Sequence, residues 1–161
     1  MPQTLKTQIK AWLGQAGMVV VAGIGNPIRT DDYVGLEIVK ELKGKLRSSV
    51  LLLEAETVPE NYLSDIEEFC PSHVLLIDAA FLGCKPGHAS LVDAEKMVDT
   101  SAVSTHLLPL KVFCEVVSRT THAKIAFLLI EPDSMEFGEG LTLKVRKAAE
   151  DLVRLLAELL G

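Results

Sequence analysis

Short apolar runs alternate with helical patterns along this chain of 161 residues. Runs rich in Val, Ile and Leu predict buried strands, because strands that are covered on both faces are apolar throughout. Such runs lie at 18–22, 50–53, 74–77 and 124–130, and a shorter run at 88–92 follows a Lys-Pro-Gly turn. The pattern therefore predicts about five strands.

Helical periodicity fills the segments between these runs. It predicts helices over 31–46, 59–69 and 107–117. The clearest helix is the last one, from Leu141 onward, where apolar residues recur at steps of three or four. That apolar stripe consists of Leu141, Val145, Ala148, Leu152, Leu156 and Leu159. Residues 1–17 predict one further helix with apolar positions at steps of four.

Strands that alternate with helices are joined by crossover connections, which make a parallel sheet. We therefore expect an α/β fold, a three-layer α/β/α sandwich around a mainly parallel twisted sheet of about five strands. The length suits a single domain over 1–161, with 1–17 as an extra N-terminal helix. Such sheets bind ligands outside the carboxyl ends of their strands. The segments 23–32, 54–61 and 78–83 are therefore the places to look for a site.

Composition narrows the choice of partner and compartment. Lys and Arg number 16 against 22 Asp and Glu, and the net charge of −6 disfavours a nucleic-acid partner. The three cysteines are widely spaced without a Cys-x-x-Cys motif, which disfavours a disulfide framework or a zinc ribbon. No apolar run reaches 18 residues and the N-terminus lacks a signal-peptide pattern. We therefore expect a cytoplasmic protein with no membrane partner.

The first candidate motif, GIGNPIRTDDYVG, runs from Gly23 to Gly35 and follows the first predicted strand. Glycines there permit a tight turn and a close approach of the backbone. A dinucleotide site does not fit, because Ile28 occupies the third glycine position and two acids occupy the helix start. Of these acids, we expect Asp31 to cap the helix and Asp32 to face the site.

The other candidates are Asp78, directly after the third strand, and His106, at the start of the helix that contains Pro109. Taken alone, the acid could be a turn cap and the histidine an exposed helix cap. Together with Asp32, they supply two carboxylates and one imidazole, which can hold a divalent metal with an open coordination position. Nickel, zinc, manganese and iron all suit these ligands.

The ordered set of motifs resembles the hydrogenase maturation endopeptidases, which remove the C-terminal extension from the large-subunit precursor of nickel–iron hydrogenases. The residues that match the first family motif are Gly23, Gly25, Asn26, Asp31, Asp32 and Gly35. The resemblance implies that Asp32, Asp78 and His106 are both the metal ligands and the catalytic residues. It also implies a substrate loop that contains Gly25, Asn26 and Asp31, and Glu56 adds an acid near this presumed substrate surface.

The resemblance also implies a metal and a partner. In that family, nickel already placed in the precursor is the recognition element, and the bond just beyond the last metal-binding cysteine is cut. We therefore expect nickel supplied by the precursor, or another divalent metal in its place, and a protein that acts on the precursor as a monomer. The chain departs from the family at Tyr33, where glycine is usual, and at Ala55-Glu56, where a Gly-Gly pair is common.

Two alternative functions stay open at this point. One is a non-enzymatic, nickel-dependent docking or assembly module that binds the maturing subunit without cutting it. The other is a peptidyl-tRNA hydrolase-like esterase, because Gly23 to Pro27 matches the Gly-x-Gly-Asn-Pro start of that enzyme. Its catalytic histidine segment is missing here, since the first histidine of the chain is His73. The net charge of −6 also disfavours a tRNA substrate.

Overall fold

The computed structural model describes residues 3–99 and 107–161. The helices of these ranges are α1 (Gln3–Leu13), α2 (Val34–Leu42), α3 (Leu63–Phe69), α4 (Leu107–Thr121) and α5 (Leu143–Leu160). The strands are β1 (Val19–Ile24), β2 (Val50–Glu56), β3 (His73–Ala79), β4 (Ala89–Asp93) and β5 (Lys124–Ile130). Short 3-10 helices cover Thr30–Tyr33, Pro59–Tyr62 and Ala94–Asp99.

The five strands form one sheet in the order β2-β1-β3-β5-β4. Neighbours are parallel except β4, which runs antiparallel to β5 at the edge. Helices α1, α2 and α5 pack on one face of the sheet, and α3 and α4 pack on the other. The expected three-layer α/β/α sandwich with a mainly parallel five-stranded sheet is confirmed. None of the described helices is long and apolar enough to cross a membrane.

The two cores follow from the alternation of side chains along each strand. In β1, Val19 and Val21 join the core under α2 and α5, whereas Val20 and Ala22 join the core under α3 and α4. All seven residues of β3 are buried because both faces of this strand are covered. This explains why the strands appear in the sequence as continuous apolar runs.

Element ends differ from the sequence pattern for local reasons. Strand β1 extends two residues beyond the apolar run, because Gly23 and Ile24 still pair with β2. Helix α2 ends at Leu42 rather than at residue 46, because Gly44 has a left-handed φ of +78° that breaks the helix. The segment predicted as one helix from residue 31 begins as the 3-10 turn Thr30–Tyr33.

Glycine permits an unusually close contact between α2 and the sheet. A Cβ added to Gly35 would lie 2.0 Å from the carbonyl oxygen of Ile77 and 2.6 Å from that of Ile24. A Cβ on Gly23 would lie 2.4 Å from the carbonyl oxygen of Gly35. The helix backbone therefore rests directly on β1 and β3, and this contact fixes the turn that precedes the helix.

We predict that Gly35→Ala destabilises the protein by about 3 kcal/mol, since the added methyl group meets backbone carbonyls that cannot move aside. Gly17→Ala is the control, because a Cβ there meets nothing within 4 Å and the residue needs no positive φ. Urea unfolding of both variants measures the difference. Equal stability of the two variants would contradict the close contact.

His73 connects α1 to the sheet. Its Nε2 lies 3.1 Å from the carbonyl oxygen of Trp12, and the two rings meet edge to face at 5.0 Å. A carbonyl only accepts, so Nε2 carries the proton and Nδ1 of the neutral ring accepts from the Ser72 hydroxyl at 2.8 Å. Burial lowers the pKa of His73 from its ordinary value, and the Lys124 ammonium adds to this.

We predict that His73 makes folding stability fall as pH drops below about 6.5. Because its pKa is lowered by folding, His73 binds a proton at a higher pH in the unfolded chain than in the folded protein. The stability that neutral His73 contributes is therefore fully present above about pH 6.5 and is lost on acidification. Unfolding midpoints at pH 7.5 and 5.5 should differ less in His73→Gln than in the wild type. The same substitution at exposed His88 should keep the wild-type difference, and an equal change in both variants would refute the assignment.

Candidate functional site

The candidate site lies where the strand order reverses direction. Strand β1 is followed in sequence by β2 on one side, whereas β3 lies on its other side. The connections therefore leave β1 and β3 in opposite directions and open a crevice at their carboxyl ends, which is where open α/β sheets bind ligands. Asp32 follows β1, and Asp78 is the penultimate residue of β3. The fold thus brings these two predicted site residues to neighbouring strand ends.

Asp32 belongs to the 3-10 turn Thr30–Tyr33, which contacts β3. Its side chain is 1% exposed, and Oδ2 accepts the backbone N–H of Asn26 at 2.9 Å. The side chain of Asn26 in turn accepts the N–H of Ile28 at 3.1 Å, so this loop closes as an Asx turn. The loop after β1 is therefore folded around the Asp32 carboxylate.

Asp78 is fully buried at the end of β3, and its Oδ1 accepts the N–H of Ala79 at 2.8 Å. A charge-assisted bond of this kind fixes the orientation of the carboxylate. His106, the third predicted ligand, lies outside the described residues. Within 3–99 and 107–161, no group of three or more His, Cys, Asp or Glu residues is arranged to hold a metal ion.

The sequence predicted that Asp31 caps the helix that follows it, and this prediction is wrong. No side chain caps the start of the 3-10 turn or of α2. The buried carboxylate of Asp31 instead accepts the N–H groups of Asp133, Ser134 and Thr142 at 2.8–3.0 Å, together with the Thr142 hydroxyl at 2.8 Å. The Asp31 N–H donates to the carbonyl of Ser134. The residue therefore holds the loop between β5 and α5 against the site.

Gly25 and Glu56 meet where β1 and β2 end. Gly25 has a φ of +143°, and an added Cβ would lie 1.9 Å from the carbonyl oxygen of Asp32. Its N–H donates to the carbonyl of Glu56 at 2.8 Å. The Glu56 side chain is exposed, and the residue adopts a left-handed φ of +53° beside a register shift in the sheet. Glycine at 25 thus lets the Asp32 backbone approach β1.

Glu131, a buried acid that directly follows β5, is not among the residues that the sequence pattern predicted for the site. Its Oε1 accepts the N–H groups of Leu82 at 2.6 Å and Cys84 at 3.2 Å. It therefore fixes the loop that leaves Asp78. An acid immediately after a buried apolar strand was the available signal, since such a residue lies at the edge where the site forms.

Tyr33, the departure from the family pattern, lies partly buried beside α2. The Lys40 ammonium lies 5.3 Å from the centre of its ring, a cation–π contact. Burial, and then the Glu37 carboxylate, raise the pKa of Tyr33 above its ordinary value. The ring therefore packs along the helix that follows the turn.

A cleft of about 1050 Å³ lies at the opposite edge of the sheet, between α4, Trp12 and the start of β5. Cys114 contributes to its lining, and burial raises the pKa of that thiol to about 12. The thiol therefore stays protonated and is a poor nucleophile. The cleft contains neither Asp32 nor Asp78, so it is separate from the candidate site.

Comparisons with known proteins agree with the fold and the motif order. The family model described as hydrogenase maturation protease matches residues 36–159. A Methanocaldococcus jannaschii protein named as a putative hydrogenase maturation protease is 30% identical. The match covers 88% of this chain and 89% of that protein. The hydrogenase 3 maturation protease of Escherichia coli is 24% identical, and the match covers 85% of this chain and 87% of that protein.

Solved structures give the same result. The [NiFe] hydrogenase maturation protease HycI from Thermococcus kodakarensis is 29% identical with a TM-score of 0.87, and the match covers 94% of this chain and 97% of that one. The hydrogenase maturating endopeptidase HybD of Escherichia coli is 26% identical with a TM-score of 0.68, covering 88% and 93%. The resemblance inferred from the motifs is confirmed, and the chain belongs to the hydrogenase maturation protease family of peptide hydrolases.

Proposed function

We propose that this protein is a metal-dependent endopeptidase that removes the C-terminal extension from a nickel-loaded hydrogenase large-subunit precursor. The observation that carries the proposal is the pair of buried carboxylates, Asp32 and Asp78, at the carboxyl ends of neighbouring parallel strands. Family membership indicates peptide hydrolysis, and this pair of carboxylates supports a site for it at the carboxyl edge of the sheet.

The donor set suits a divalent cation. A cation between two buried carboxylates offsets their mutual repulsion and the cost of removing them from water. Carboxylate oxygens and an imidazole are ligands that nickel accepts. We propose that Asp32, Asp78 and His106 close around nickel that precursor cysteines already hold. His106 joins this set on sequence grounds, since it lies outside the described residues.

The surrounding residues orient the two carboxylates before substrate arrives. The Asn26 amide fixes one oxygen of Asp32, and the Ala79 amide fixes one oxygen of Asp78. Gly25 keeps the first loop close to the sheet. Because the two carboxylates are already oriented, less entropy is lost when the nickel-loaded precursor binds to them. A precursor without nickel lacks the group these carboxylates bind, so cleavage waits for metal loading.

We predict that Asp32→Asn and Asp78→Asn each lower kcat/KM on a nickel-loaded precursor by at least about 100-fold. Loss of residues that merely support metal ligands costs 10–100-fold, and loss of a ligand itself should cost no less. His106→Ala should behave in the same way. Intact mass of the precursor before and after incubation measures release of the C-terminal peptide.

Asp151→Asn is the matched control, because it removes an acid on α5 whose ion pair with Arg154 lies at the surface. It should cleave at the wild-type rate. Nickel-free precursor should stay uncut with every variant. Full activity of Asp32→Asn would overturn the ligand assignment. Stable binding of loaded precursor by the wild type without any cleavage would instead favour the docking module.

A further inference from the structure

The loop that Asp31 holds displays apolar side chains to solvent. Its middle pairs with the loop after β1, because the Gly138 N–H donates to the carbonyl of Ile28 at 2.9 Å and the Thr30 N–H donates to the carbonyl of Gly138 at 3.0 Å. Its C-terminal end is tied down by the bonds from Thr142 to Asp31. The two loops therefore form one supported surface beside Asp32.

Two large apolar side chains on these loops are exposed, Ile28 at 51% and Phe137 at 81%, and Leu143 at the start of α5 is 87% exposed. We name them the Phe137 surface. Ile28 and Phe137 lie close together, because the Gly138 N–H donates to the carbonyl of Ile28. Neighbouring exposed apolar side chains of this size indicate an interaction site.

The Phe137 ring is held in place rather than loose. The Arg29 guanidinium lies 5.5 Å from the ring centre, and Arg29 Nε donates to the carbonyl of Met135 at 3.2 Å. A side chain that is already ordered loses less entropy when a partner covers it. The contact with Arg29 thus restricts the ring next to the site.

Exposed acids outnumber bases around this surface, although Arg29 lies against the Phe137 ring and Lys144 directly follows Leu143. The segment 131–142 contains four acids and no Lys or Arg, and its exposed acids are Asp133, Glu136 and Glu139. Glu56 adds an exposed acid at the same edge of the sheet. A second copy of this acidic chain would be repelled here, whereas an apolar segment flanked by Lys or Arg would be attracted.

We propose that the Phe137 surface binds the hydrogenase precursor away from the scissile bond, through an apolar segment of the precursor flanked by basic side chains. This inference rests on the proposed function. It explains why the surface is continuous with the site: Asp31 supports the loop, and the adjacent Asp32 is a proposed ligand. Contact at both places would select the correct precursor as well as the correct metal.

The test measures KM and kcat for cleavage of nickel-loaded precursor by the double variant Phe137→Ser/Leu143→Ser. We expect KM to rise about tenfold with kcat within twofold of the wild type, because apolar contact area is lost without any change at the site. Glu136→Lys/Glu139→Lys should also raise KM and should weaken its dependence on salt. Both variants change exposed side chains, and thermal unfolding verifies that each remains folded.

Met18→Ser is the matched control, since Met18 is an exposed apolar residue directly before β1, at the opposite edge of the sheet. Its KM should equal that of the wild type. If the wild type leaves loaded precursor uncut, the proposed function fails. If the wild type cuts and the double variant shows an unchanged KM, only this inference fails. A fall in kcat at unchanged KM, or a wild-type dimer that the double variant abolishes, would also overturn it.

Discussion

The candidate site depends on the contact between the backbone of α2 and the ends of β1 and β3. At Gly35 the helix lies against two strand carbonyls, with no room for a methyl group. This contact fixes the 3-10 turn that precedes the helix, and that turn carries Asp32. Gly25 makes the equivalent approach from the strand side, against the carbonyl of Asp32. The glycines of the family motif therefore act by packing, and they place an acid over the crevice between two strands.

Neighbouring acids in that turn have different roles because they point in different directions. Asp31 points toward the loop between β5 and α5, and hydrogen bonds from that loop surround it. Asp32 points toward the loop after β1, where it accepts the Asn26 N–H, and the turn that carries it contacts β3. A carboxylate bonded to several backbone amides is well compensated for its burial, which suits a structural residue.

Glu131 repeats the role of Asp31 on the other side of the site. It binds two amides of the loop after β3, as Asp31 binds the loop after β5. Two buried acids thus organise the loops around the proposed ligand pair. This arrangement leaves the carboxyl edge of the sheet ordered while its outer surface stays acidic and apolar. An edge of that kind is suited to a large protein substrate, which needs contacts beyond the cleaved bond.

The sequence by itself determined the fold class, the number of strands and the candidates at the strand ends. Apolar runs and helical periodicity are local properties, and the carboxyl-edge rule converts them into places for a site. Asp32 and Asp78 were predicted as site residues for that reason, and the order of the motifs was enough to indicate the family.

Only the tertiary structure decided what Asp31 and Glu131 do. Capping was the natural expectation for Asp31, but its partners lie more than 100 residues away, and no local pattern reveals such bonds. Glu131 and the Phe137 surface were missed for the same reason, since burial and exposure depend on which loops meet. Residue order determines which groups reach the carboxyl edge, whereas long-range hydrogen bonds determine which of them are committed to holding it together.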